Sequence, residues 1–191
     1  MEDRKLVELA QEGGQEAFSM LVAKYQSKVF SMAISFVRDR ETADDLSQEV
    51  FLKAYLALPK FKFRSEFGTW LYRISVNHIR DFLRKRKRLN EVSLETVGDL
   101  PVLDDSEETR EREKIELERK ALLHRALETM TPKFRTVLTL RDIQGLSYED
   151  IARILRVSPG TLDSRLHRAR KSLRKKLAPV LSGEGGSYDL P

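Results

Sequence analysis

Residues 147–176 read SYEDIARILRVSPGTLDSRLHRARKSLRKK, and the fold is read outward from them. Ser147 followed by Asp150 has the form of a capping box opening a short helix, with Ile151, Ile154 and Leu155 on one face and Ala152 small enough for a close neighbour. Arg156-Val157 makes a turn, and Ser158-Pro159 supplies a hydroxyl cap followed by a proline at the first helical position, where a missing N–H costs nothing. On the second helix Leu162, Leu166, Ala169 and Leu173 recur at i, i+4, i+7 and i+11 as a buried stripe, so Ser164, His167, Arg168 and Lys171 project the other way. Residues 165–176 hold seven Lys or Arg and no acid, enough for several phosphate contacts. Two helices, a tight turn and a basic outer face predict a helix-turn-helix whose second helix enters a DNA groove. The competing reading is an amphipathic hairpin with a solvated basic face; cap, short turn and proline together favour DNA.

The rest of the chain is consistent with an anionic partner: 191 residues carry a formal charge of +5, with a pI near 9.4. No cysteine is present and His78, His124 and His167 are scattered, so neither a disulfide framework nor a metal site is expected, and no cofactor. No apolar run approaches membrane-spanning length and the N-terminus is amphipathic, which predicts a cytoplasmic protein.

Apolar residues fall at spacings of three and four almost throughout, predicting an all-α chain. Helices are expected over residues 3–12, ended by Gly13-Gly14, and over 15–38, with Phe18, Leu21, Val22, Tyr25, Val29, Ala33 and Phe36 inward. A third, over 41–58, ends at Pro59 and has two unlike faces. Ala43, Leu46, Val50, Ala54 and Ala57 form its inward stripe. Asp45, Gln48, Glu49, Leu52 and Leu56 share another, mixing acids with leucines as a protein-docking surface does; the alternative is packing of both leucines inside the domain. Residues 60–67, KFKFRSEF, interleave Phe61 and Phe63 with Lys62 and Arg64, a pattern suited to stacking and neutralising unpaired bases. Anchoring of those rings in the core is the alternative, and is expected of Phe67.

A long helix over 69–88 carries Leu71, Ile74, His78 and Phe82 inward, while Arg73, Asn77, Arg80 and Arg84 form a polar ridge with an amide able to address a base edge. His78 reads as a core histidine. Residues 90–113 then hold nine acids against two arginines, a net of −7, and predict a flexible linker. It either lies in a basic groove of a partner or screens the DNA faces. Helices resume over 114–130, with Leu117, Ala121, Leu122 and Leu127 inward, and over 132–142, with Thr131 as cap and Gly145 as punctuation. The expected division is an N-terminal domain over 1–89, the linker over 90–113, a C-terminal domain over 114–181 and a disordered tail over 182–191.

Three blocks, DDLSQEVF at 44–51, WLYRISVN at 70–77 with Asp81 and Arg84-Lys85-Arg86, and GTLDSRLHRAR at 160–170, resemble the extracytoplasmic-function group of bacterial sigma factors. The resemblance implies two helical domains without the domain that larger sigma factors place between them. It implies that Asp45, Gln48 and Glu49, with Leu52 beside them, dock on core RNA polymerase. It assigns capture of the melted −10 element to Phe61, Lys62, Phe63 and Arg64, and helix-face contacts to Arg73, Asn77, Arg80 and Arg84. The duplex −35 element falls to Ser158, Thr161, Ser164, Arg165, Arg168 and Lys171, and an anti-sigma protein is the implied regulator. Thr131-Pro132 stands where the family has Leu-Pro, and Asp163 occupies a position commonly basic, where a carboxylate repels phosphate or accepts from a cytosine amino group. A stand-alone helix-turn-helix regulator of duplex operators is the other class of reading; it leaves the polar ridge and aromatic-basic loop without a purpose. An enzyme would need a catalytic constellation, which the sequence does not supply.

Overall fold

The computed structural model describes residues 2–37, 39–90 and 122–181, all of them in helices, turns and loops. Helix α1 (Asp3–Gln11) buries Leu6, Val7 and Ala10 and ends where Gly13 turns at φ +97°. That left-handed conformation is cheap only without a Cβ. Asp3 accepts from Tyr25 Oη and Lys24 Nζ, both at 2.5 Å, fastening α1 to α2 (Gln15–Ile34).

Helix α2 stops four residues before the expected end. Ser35 Oγ donates to the Met32 carbonyl at 2.7 Å, competing with the helical ladder, and Phe36 and Val37 turn inward to 5% and 2% exposure. Helix α3 (Arg40–Ala57) begins on Asp39, whose carboxylate accepts from Thr42 N at 2.7 Å and Glu41 N at 3.4 Å. The Thr42 hydroxyl, donating to the same group, holds the Asp39 carboxyl below its ordinary pKa. A short 3₁₀ turn, Leu58–Lys60, follows, and α4 (Phe67–Asn90) runs to the edge of the undescribed region.

Asn90, expected to begin the linker, is the last residue of α4; the rest of the linker, Leu117, Ala121 and the tail lie outside the described residues. Beyond them α5 (122–128), α6 (Pro132–Leu138), a π-turn (Thr139–Ile143), α7 (Tyr148–Leu155) and α8 (Pro159–Leu181) complete the chain. Thr131 stands at the start of α6 but makes no side-chain cap bond, so Pro132 alone marks that end. The π-turn replaces the last helical turn expected before Gly145, with Gln144 N bonding Thr139 O at 2.9 Å.

Two apolar clusters hold these elements. One gathers α1, the first half of α2, the second half of α3 and the head of α4 around Leu21, Leu58 and Leu71. The other joins Met32, Phe36, Leu46, Tyr72, Val76 and Ile79 to Leu127, Leu138, Leu140, Ile151, Leu162 and Leu166. Side chains from before and after the linker therefore share one core. Arg135, 7% exposed, bridges the halves: Nη1 donates to the Phe36 carbonyl at 3.1 Å and Nη2 to the Glu128 carbonyl near the end of α5. Its guanidinium also lies 5.6 Å from the Phe36 ring centroid.

Candidate nucleic-acid interface

Helices α7 and α8 lie on either side of a short turn. Ser147 Oγ accepts from Asp150 N at 3.1 Å and donates to Asp150 Oδ2 at 2.8 Å. The turn closes through Arg156 in the left-handed region, φ 53° and ψ 52°, with Val157 N bonded to Ala152 O. Ser158 Oγ then caps α8 by accepting from Thr161 N at 3.2 Å. Leu162, Leu166 and Ala169 are essentially buried, which fixes the rotation of α8 and leaves Thr161, Ser164, Arg168 and Lys171 in solvent. Asp163 is exposed among them. Arg165 is the member of this set that turns partly inward, its Nε buried without a hydrogen-bond partner.

On α3, Asp45, Gln48, Glu49 and Leu52 line one open hollow. Leu52 is 58% exposed and Leu56 69%, so neither packs inside the domain, and Tyr55 adds a ring at 43%. Gln48 Nε2 is held on Asp44 at 2.8 Å. Glu49 approaches His78 Nε2 on α4 at 2.9 Å, an ion-pair distance without hydrogen-bond alignment. Burial, reinforced by Lys53 and opposed by Glu49 and Asp81, pulls the His78 pKa down, so its imidazole is uncharged near neutrality. An acidic rim around exposed leucines suits a basic, partly apolar protein partner.

Between α3 and α4 the loop separates its aromatic from its basic members. Phe61 is only 7% exposed, its ring centroid 4.9 Å from Trp70, 5.0 Å from Phe63 and 6.3 Å from Phe67. It supports the loop from beneath and also lines the cleft beside Lys62 and Arg64. Phe63, half-buried at φ 53° with the Arg4 guanidinium 5.3 Å away, offers part of a ring, while Lys62 and Arg64 are exposed. Gln11 Nε2 donates to the Leu58 and Phe61 carbonyls, both at 2.9 Å, pinning the loop to α1. Lys62, Arg64, Arg73 and Trp70 line a cleft of about 390 Å³, and its far wall is Arg153 and Ile154 of α7.

Helix α4 is covered from two sides. Leu71 packs toward the first cluster and Ile74 against its rim, while Tyr72, Val76 and Ile79, at i, i+4 and i+7, enter the second at 3%, 3% and 1% exposure. The ridge between these stripes carries Asn77 and Arg84 exposed, with Arg73 and Arg80 partly covered. Burial, with Arg165 and Arg84 nearby, draws the Arg80 pKa down. Sequence reasoning missed Tyr72-Val76-Ile79 as a contact stripe, although their helical spacing shows it. Among the described residues no three His, Cys, Asp or Glu side chains gather as a metal site, and no helix is long and apolar enough to cross a membrane.

The chain matches the models of sigma-70 region 2 over residues 21–89 and sigma-70 region 4 over residues 120–173. It is 40% identical over 185 residues to the RNA polymerase sigma-H factor of Pseudomonas aeruginosa, covering 94% of this chain and 96% of that protein. Against the ECF RNA polymerase sigma-E factor of Escherichia coli strain K12 it is 36% identical over 188 residues, with 94% and 96% covered. Among solved structures it is similar to CnrH in complex with the cytosolic domain of CnrY, at TM-score 0.69 and 28% identity over 96% of this chain and 99% of that one. It is also similar to the sigma factor RpoE of Bartonella quintana in complex with the anti-sigma factor NepR, at TM-score 0.66 and 27% identity over 84% and 96%. With both regions in order and the relatives matched nearly end to end, the chain belongs to the sigma-70 family of RNA polymerase sigma factors, in its extracytoplasmic-function group.

Proposed function

We propose that this chain is a cytoplasmic, non-catalytic promoter-specificity subunit working with three surfaces. The α3 face, Asp45, Gln48, Glu49 and Leu52, docks on core RNA polymerase, the leucines supplying apolar area and the acids steering a basic partner. Lys62, Phe63 and Arg64 hold unpaired bases and backbone of the −10 element, and Arg73, Asn77, Arg80 and Arg84 contact the strands as they part. The α8 face, Ser158, Thr161, Ser164, Arg165, Arg168 and Lys171, reads the duplex −35 element. The acidic segment 90–113 joins a −10 unit over 1–89 to a −35 unit over 114–181. An anti-sigma protein controls it, as the NepR complex illustrates for RpoE.

The observation that carries this reading is the pairing of an exposed acid-and-leucine face on α3 with a basic, acid-poor α8 in one chain matching both sigma regions. Variants separate the surfaces. Glu49→Lys is expected to lose core binding while melting at the wild-type temperature, because Glu49 is exposed. Asn77→Ala is expected to weaken permanganate-detected strand opening more than core docking. Wild-type core affinity in the first, or unchanged opening in the second, removes that assignment.

A further inference from the structure

Helix α1 precedes the matched sigma-70 region 2, which begins at residue 21, yet it is built into the loop that follows α3. Arg4 and Gln11 stand at i and i+7, so both look onto that loop from one face of the helix. Gln11 holds the backbone through the Leu58 and Phe61 carbonyls, and Arg4 lies over the Phe63 ring. The helix itself is firmly seated: Leu6 and Val7 are 2% and 0% exposed, and Asp3 accepts from Lys24 and Tyr25 of α2.

Phe63 has φ 53°, an uncommon conformation for a residue with a Cβ, which persists where the surroundings hold it. Its ring meets Phe61 at 5.0 Å and the Arg4 guanidinium at 5.3 Å. Partnered twice and half-buried, it offers an arriving base only part of a face. Arg4 is the opposite case, with 74% of its side chain exposed. Glu8 Oε1 accepts from Arg4 Nε at 3.2 Å, which orients the guanidinium, and its terminal nitrogens make no hydrogen bond among the described residues. So exposed an ion pair adds little stability, which leaves the arrangement without a structural purpose. A guanidinium is planar and weakly hydrated, and with an aromatic ring behind it and solvent before it, it presents a surface on which an unpaired base stacks.

We propose that Arg4 belongs to the strand-capture site: its guanidinium, backed by Phe63 and aimed by Glu8, is the platform for an unpaired base of the −10 element, while Lys62 and Arg64 serve the strand's phosphates. The inference rests on the assignment of residues 60–67 to unpaired DNA. It extends the site from the loop to α1, and gives the first helix of the chain a part in holding the opened strand.

The full-length chain has no cysteine, so one photo-crosslinker can be attached at Arg4→Cys or at Lys62→Cys, both on exposed positions. Each is assembled with core polymerase on a promoter recovered from a random pool by the wild-type chain. Illumination is expected to join both positions to unpaired nucleotides of the −10 element. Arg4→Ala, without crosslinker, is expected to lower the open-to-closed ratio read by permanganate about tenfold, as loss of one stacked base does, while core affinity stays within about twofold and the urea midpoint holds. Arg4→Lys keeps the charge and loses the plane, and is expected to be nearly as impaired. A crosslink from Lys62 but none from Arg4, undiminished opening by Arg4→Ala, or full recovery by Arg4→Lys each overturns the proposal, the last by pointing to a phosphate contact. Failure of both positions to reach the −10 strand would instead remove the loop assignment, and the proposal with it.

Discussion

Leu52 and Leu56 offer the sharpest test of the docking face. They are 58% and 69% exposed, a poor arrangement for a solvated helix. Complete burial of a leucine side chain contributes about 1.5–3 kcal/mol, so covering the exposed share of each contributes about 1–2 kcal/mol on docking. Leu52→Ala and Leu56→Ala should each weaken core binding about 5- to 30-fold, since about 1.4 kcal/mol is a factor of ten. Stability of the free chain should change by less than about 0.5 kcal/mol, because neither side chain supports the core. The assay is an anisotropy titration of dye-labelled chain with core polymerase, with urea unfolding of each variant alongside. Less than twofold loss of affinity from both variants, with the fold intact, would refute the assignment of this face. A large loss of stability would show instead that the leucines pack internally.

Arg156 adopts a left-handed conformation at the end of α7; Arg156→Gly is expected to raise unfolding stability by up to about 1 kcal/mol, and a lower urea midpoint would contradict it. His78 and His124 are both held below their ordinary pKa, chiefly by burial. Unfolded histidines therefore take up protons first as pH drops below about 6.5. The stability this represents is whole above that value and is lost as pH falls through the lower folded values; His78→Gln with His124→Gln should flatten the loss between pH 7.5 and 5.5, and parallel curves would refute it. Arg168 is exposed on the basic face of α8; Arg168→Ala should reduce the salt dependence of promoter-complex formation by about one unit of slope, and an unchanged slope would exclude a phosphate contact.

How far these features could be read in advance depended on whether local chemistry or tertiary contact decided them. The Ser147 and Ser158 caps, the α8 stripe and the exposed leucines of α3 follow from short-range rules, and the structure places them where the spacing put them. The end of α2 did not follow, because Phe36 continues the helical stripe while Ser35 competes for the Met32 carbonyl and the second cluster draws Phe36 and Val37 inward. Helix α4 misled for a related reason. An amphipathic reading seeks one buried face, and α4 has two, so Tyr72, Val76 and Ile79 were hidden beside the stronger stripe through Leu71. Phe61 shows the limit of pattern: alternation of rings and cations serves base stacking and core anchoring equally well, and only contact with Trp70 places that ring in the core.

Core-dependent initiation is the property that sets a promoter-specificity subunit apart from an operator-binding regulator. Purified chain and core polymerase are incubated with a pool of random promoters, and initiated transcripts are sequenced. Transcripts should arise only when both proteins are present, and from templates sharing two conserved blocks separated by a fixed spacer. Binding to a single duplex operator regardless of core, with no transcript gained, would contradict it.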